Sequence, residues 1–144
     1  EFRLDRVARG TVLGFIGDIQ SSIFFYRYPL LFPTHNFRGI AVADLRDIAA
    51  MKVVAISDRG KKRDFIDLYF ILREGKITME EAIHLYGRKF DVLDANRIHV
   101  IRSLCYFDGA DAERMPRMIK NSSWPSVKKF FIAEQKKLIQ RIIG

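Results

Sequence analysis

Apolar and polar residues alternate through the first third of the chain, and from Asp44 the apolar period lengthens from two to about 3.6 residues. Phe2, Leu4 and, less cleanly, Val7 alternate with Arg3, Asp5 and Arg6, which predicts a strand over Phe2 to Ala8. Thr11 to Ile16 reads as a second strand set off by Gly10 and Gly14, and Gly17-Asp18 signals a hairpin turn. Ile19 to Tyr28 continues as a third strand, ended by Pro29. Leu30 to Arg38, with Pro33, His35 and Asn36, reads as a loop, and Gly39 to Val42 as a short fourth strand.

Helix signals fill the remainder. Asp44 suits an N-cap for a first helix that stops near Gly60. Leu45, Ile48, Ala49, Lys52, Ile56 and Arg59 fall on one stripe of that helix. A second helix runs from about Lys62 to Glu74 and closes at Gly75. Thr78-Met-Glu-Glu81 is a capping box for a third, which carries Ala82, Ile83, Leu85 and Tyr86. Asp94 caps a fourth, with Ile98, Ile101, Leu104 and Cys105 inward. Phe107 to Met118 is irregular, and Ser123-Trp124-Pro125 opens the last helix. Val127, Phe130, Phe131, Leu138, Ile139 and Ile142 supply its apolar side.

Strands first and helices after predict an α+β fold: a small antiparallel or mixed sheet of three to four strands followed by about five helices. At 144 residues a single domain is expected, strand-rich over 1–43 and helical over 44–144. The helices are expected to cover only one face of the sheet. The first strand begins at the very start of the chain, so either upstream sequence or another chain is expected to complete the sheet.

Ionisable residues interrupt the apolar faces around Gly60. Lys52 lies on the stripe that should meet the core, and Asp67 sits within Phe65-Ile-Asp-Leu-Tyr-Phe-Ile-Leu72, apolar nearly all round. A carboxylate there needs a cation, and Lys52 and Arg59 are nearest along the chain. Such a pair can simply hold two helices in register. It can also belong to a phosphate site, with Lys52, Arg59 and the Lys61-Lys62-Arg63 loop facing a polyanion at a helix N-terminus. Asp64 and Asp67 would then orient the cations or help hold a metal, although Asp64 is equally explained as a helix-start acid.

A net charge of +8 favours an acidic partner such as a nucleotide or RNA. From Met118 onward Lys120, Lys128, Lys129, Lys136, Lys137 and Arg141 face one acid, Glu134, which reads as a solvated face or an RNA-attracting one. The single cysteine, Cys105, excludes an internal disulfide framework. No signal peptide or membrane-length apolar run is present, so a cytoplasmic location is expected, with no membrane partner. Gly14-Phe-Ile-Gly17 matches no phosphate-loop fingerprint, and His35, His84 and His99 have no zinc spacing. Asp108 and Asp111 read as a solvated turn rather than a metal loop.

The run from Asp47 through Lys52, Arg59, Gly60, Lys61-Lys62-Arg63-Asp64 and Asp67-Leu-Tyr to Leu72 closely resembles the abortive-infection nucleotidyltransferase toxins of the AbiEii/AbiGii type. Gly10-Thr-Val-Leu, Phe24-Phe-Tyr-Arg-Tyr-Pro-Leu-Leu31, Tyr106-Phe-Asp-Gly-Ala-Asp111 and Ser123-Trp-Pro-Ser-Val-Lys128 extend the likeness over almost the whole chain. The family is similar to DNA polymerase β-type nucleotidyltransferases, so the resemblance implies nucleotide transfer with Mg²⁺ and a nucleoside triphosphate, neither required for folding. It implies catalytic roles for Lys52, Asp64 and Asp67 and phosphate contacts from Arg59, Lys62 and Arg63, with no metal ligand assigned.

No Gly-Ser motif followed by Asp-x-Asp occurs, and neither Asp5 nor Asp18 replaces it. The chain therefore reads as the later part of such a toxin, without the main Mg²⁺-binding motif, and inactive alone. Implied partners are a nucleotide, RNA, an antitoxin or the missing N-terminal half, and further copies in a homo-oligomer. The rival reading is a non-catalytic basic module that binds RNA or protein.

Overall fold

Glycine at the turns and alternation between them build the first sheet. In the computed structural model, which describes residues 1–75, 77–92 and 95–143, β1 (Phe2–Ala8), β2 (Thr11–Ile16) and β3 (Ile19–Phe24) form an antiparallel meander in that order. Arg9 and Gly10 both take positive φ, 35° and 75°, as a tight two-residue hairpin requires. A register shift between Leu4 and Arg6 bulges β1 at Asp5 and returns Val7 to the row of Val12 and Ile23. That bulge explains why Val7 breaks the alternation.

Phe2, Ile16 and Ile19 make a second row on that same face, and Leu4, Gly14 and Ser21 a third between them. The face is apolar yet open: Phe2, Leu4, Val7, Ile16, Ile19 and Ile23 are all exposed. The opposite face is mixed, with Arg3 stacked 4.5 Å over the Phe15 ring.

Two strand expectations are corrected. The third strand stops at Phe24 rather than Tyr28, because Tyr26 and Tyr28 leave the ladder to pack edge to face, Tyr28 against Phe90 at 4.6 Å. The stretch expected as a loop contains β4 (His35–Phe37), which pairs only with β5 (Ile40–Val42). The fourth strand thus belongs to a separate two-stranded ribbon.

The helices are α1 (Leu45–Asp58), α2 (Lys62–Glu74), α3 (Met79–Phe90), α4 (Ala95–Ser103), the single-turn α5 (Asp108–Asp111) and α6 (Trp124–Ile143). Asp44 caps α1, its Oδ1 accepting from Arg46 N at 2.9 Å, and Thr78 Oγ1 caps α3 by accepting from Glu81 N at 3.1 Å. The expected cap at Asp94 lies outside the described residues. Gly60, at φ 53°, breaks α1 from α2.

α1 packs against α2, α3 and α4, and α6 against α2 and α4. Phe65 on α2 lies at the centre, within 5.1 to 5.8 Å of Phe131, Phe107 and Trp124, ring to ring. The buried apolar core among the described residues starts at Ala49 and includes no side chain of β1, β2 or β3. The expectation that the helices cover one sheet face is therefore corrected: their apolar faces are satisfied by one another. Leu45, Ile98, Ile139 and Ile142, expected inward, are exposed, outside those helix–helix contacts. The described helices include none long and apolar enough to cross a membrane.

Candidate phosphate-binding site

The break at Gly60 folds the first turn of α2 back onto the last turns of α1. This juxtaposition places Asp64 against Lys52 and Arg59. Arg59 donates from Nε to Asp64 Oδ2 at 2.8 Å and from Nη2 to Oδ1 at 2.9 Å, a bidentate fork. Lys52 Nζ donates to Asp64 Oδ1 at 3.2 Å and forms an ion pair with Asp67 Oδ2 at 2.6 Å. The Asp64 side chain has 0% exposure, against 22% for Lys52, 47% for Arg59 and 49% for Asp67.

The buried carboxylate is therefore Asp64, and Asp67 is the solvent-facing one, the reverse of what the apolar run around Asp67 suggests. Burial pushes the Asp64 carboxyl up, but the Arg59 hydrogen bonds and the Lys52 charge outweigh it and hold the group below the usual carboxylate range. The same carboxylate raises the Arg59 guanidinium further.

Arg59 spends two of its five N–H donors on Asp64, leaving three for an outside acceptor, and Lys52 keeps a proton as well. Two fixed cations thus offer donors to solvent from a formally neutral cluster. Chemically this suits oxygen anions whose geometry matches the donors, rather than bulk attraction of negative charge.

The other sites expected near the turn are placed differently. Lys62 is buried, donates from Nζ to the Glu113 carbonyl and lies 5.2 Å over the Trp124 ring, so it is withdrawn from any ligand. Arg63 is exposed and makes no ion pair among the described residues. The N-terminus of α2, expected to favour a phosphate, is already capped: Glu113 Oε2 accepts from Lys62 N at 2.8 Å, and Lys61 Nζ donates to Glu113 Oε1 at 3.1 Å. Those bonds hold the Glu113 carboxyl below its usual value. Nothing local in the sequence announces a cap from 51 residues away.

A second ion pair escaped the sequence. Asp47 on α1 and Lys89 on α3 have fully buried side chains, with Lys89 Nζ 2.6 Å from Asp47 Oδ1. Asp47 also accepts from the amides of Leu31 and Phe32, and Lys89 donates to the Pro29 carbonyl at 2.8 Å. The pair fastens the 29–32 segment to the packed helices α1 and α3. Its one sequence signal is the apolar spacing of Ala82, Tyr86 and Lys89 on α3. Asp111 stays 46% exposed, as a solvated turn predicts, yet it accepts from Trp124 Nε1 at 2.5 Å and from Lys128 at 3.0 Å and so ties the turn to α6.

A divalent cation does not fit these residues. Both Asp64 oxygens are taken by cations and carry no exposure, which leaves Asp67 as the sole available carboxylate of the cluster. Among the described residues no three His, Cys, Asp or Glu side chains are grouped to hold a metal ion.

A family model described as nucleotidyl transferase AbiEii toxin, of type IV toxin–antitoxin systems, matches residues 14–138. The chain belongs to the AbiEii nucleotidyltransferase toxin family. It is also 35% identical over 135 residues to the uncharacterized protein aq_aa25 of Aquifex aeolicus (strain VF5). That match takes in 92% of this chain and 64% of the relative, so the chain spans less than two-thirds of the length of the curated protein it matches. No solved structure matches the chain. The AbiEii match begins within β2 and runs into α6, so it includes the whole Lys52–Arg59–Asp64–Asp67 cluster.

Proposed function

We propose that this chain is the phosphate-handling C-terminal part of an AbiEii-type nucleotidyltransferase toxin. Lys52 and Arg59 contact the nucleotide phosphates, Asp64 positions both cations, and Asp67 holds the outer side of Lys52. The observation that carries this reading is the fully buried Asp64 carboxylate, which fixes two partly exposed cations while leaving their remaining donors free. A pin between helices needs no unspent donors at the surface. Arg63 supplies a nearby exposed charge, and Lys62 has no ligand role. These residues do not build an Mg²⁺ site, so the chain alone is expected to transfer no nucleotide. The partners we propose are a nucleoside triphosphate and, across the open apolar sheet face, a second copy of the chain.

The rival reading, RNA or protein binding by the basic tail, receives less support. Four of its six basic residues are paired: Lys120 with Glu74, Lys128 with Asp111, Lys137 with Glu134 and Arg141 with Glu80.

Titration of the chain with a nucleoside triphosphate without metal, followed by calorimetry, tests the proposal. Lys52→Ala and Arg59→Ala are each expected to weaken binding about ten-fold or more, the worth of a charge-assisted hydrogen bond. Wild-type affinity in both variants, or tighter dependence on Lys129 and Lys136 in α6, would overturn it.

A further inference from the structure

Arg59 has a second environment. The residue also lines a cavity of about 430 Å³ between the end of α1 and α4, together with Asp58, His99, Arg102, Ser103 and Tyr106. That size falls within the roughly 300–1,000 Å³ of small-molecule sites. Among the described residues neither Arg102 nor His99 makes an ion pair or a side-chain hydrogen bond, and both are exposed. Tyr106 is 66% exposed, a large ring kept at the mouth rather than in the core. Gly60 lines the cavity too, in its left-handed conformation, where a Cβ would stand 3.5 Å from the Ile56 carbonyl oxygen and 3.9 Å from that of Tyr106.

These groups divide by chemistry. Arg59 and Arg102 are guanidiniums with unspent donors, suited to phosphate oxygens. Tyr106 and His99 offer flat faces on which a base can stack. Asp58 accepts from an amino group or a sugar hydroxyl and repels a second phosphate. A bare polyanion has no use for the ring or the carboxylate, and an apolar ligand has none for the arginines.

We propose that this cavity receives one nucleoside phosphate unit, its phosphate on Arg59 and Arg102 and its base against Tyr106. The unit is either a free nucleotide or the terminal nucleotide of an RNA strand. The proposal rests on the phosphate-handling reading of Arg59, and it adds a side of the site, with Arg102 and Tyr106, that the Lys52–Asp64–Asp67 cluster does not include.

Adenosine and uridine 5′-monophosphates are titrated into the full chain with ¹H–¹⁵N spectra recorded at each step. Shifts are expected at the amides of Ser57, Ser103 and Tyr106. Arg102→Ala should weaken binding about ten-fold, while Lys129→Ala, which removes the same charge from α6, should not. Tyr106→Leu should weaken the monophosphates and leave inorganic phosphate unaffected. Both residues are exposed, so circular dichroism should show intact folds. A short single-stranded RNA that displaces the monophosphate assigns the unit to an RNA end, and failure to displace it assigns the unit to free nucleotide. Triphosphate binding that depends on Lys52 but is indifferent to Arg102 and Tyr106 overturns this proposal alone. No saturable binding of any nucleotide overturns it together with the proposed function.

Discussion

Arg59 and Asp64 form a two-point fork across the Gly60 turn, at 2.8 and 2.9 Å, with the carboxylate wholly out of solvent. The fork does for the α1–α2 junction what a disulfide does elsewhere, by ion pairing. Removing its buried member strands two cations beside an emptied space. Asp64→Ala is expected to lower stability by about 3 kcal/mol, because breaking a buried pair leaves the partner charges uncompensated. Asp67→Ala, at a half-exposed carboxylate, should cost less than about 1 kcal/mol. Chemical denaturation of both variants checks the ranking, and equal losses would contradict it.

Acid should erase the advantage of Asp64. The carboxyl is held below its usual range when folded, so its contribution is fully present above the unfolded value of about 4 and is lost as pH falls through the lowered folded value. The stability gap between wild type and Asp64→Asn should be widest near neutrality and shrink below about pH 4. Unfolding curves from pH 7 to pH 2.5 measure it. A gap that widened on acidification would reverse the sign of the linkage.

How much of this was legible beforehand depends on distance along the chain. Local signals held: the Gly17 turn, the Asp44 and Thr78 caps and the break at Gly60 all appear where their chemistry requires. Lys52 and Asp67 do come within ion-pair reach. The identity of the buried acid was not legible, because periodicity describes one helix, whereas the burial of Asp64 is decided by how α2 folds back on α1. Glu113 and Lys89 act across 51 and 42 residues and leave almost no local trace. An open apolar sheet face is legible in the strands' alternation; that the helical core takes no side chain from the sheet is not, because alternation marks an apolar face but not what lies on it.

The Asp47–Lys89 pair predicts an unequal response to substitution. Lys89→Ala leaves a buried carboxylate whose remaining partners are the Leu31 and Phe32 amides, and a loss of about 3–5 kcal/mol is expected. Replacing both by apolar residues, Asp47→Leu with Lys89→Met, should recover much of that loss, since no charge is then stranded. Amide exchange at Leu31 and Phe32 should quicken in either case. Unchanged exchange there would show that the pair does not fasten the segment.

Gly14 sits in the middle of β2 with the Phe2 ring against it, and a Cβ would come within 2.5 Å of the Arg3 carbonyl oxygen. Backbone cannot yield as a flexible side chain does. Gly14→Ala should therefore loosen the β1–β2 pairing, read as faster exchange of β1 amides with the helical amides unaffected. Protection equal to wild type in β1 would mean that the sheet accommodates the methyl.

The last prediction concerns the apolar sheet face. Phe2, Leu4, Val7, Ile16, Ile19 and Ile23 are 41 to 72% exposed on one side of β1–β2–β3, and no charged side chain lies in its three rows. An apolar surface of this kind lowers its free energy by leaving water. The meander also has two open edges, β1 and β3, with unpaired backbone groups. A second copy meets both needs, and a twofold arrangement is the commonest closed form. The net charge of +8 opposes association elsewhere on the surface, so added salt should strengthen it by screening that repulsion. Sedimentation equilibrium at micromolar concentration is expected to show a dimer or larger species, more of it at higher ionic strength. Ile19→Glu with Ile23→Glu should return the chain to monomer without unfolding it, because both side chains face solvent in the single chain, at 72 and 61% exposure. A wild-type monomer across the salt range would sink the idea and leave this face to a different partner.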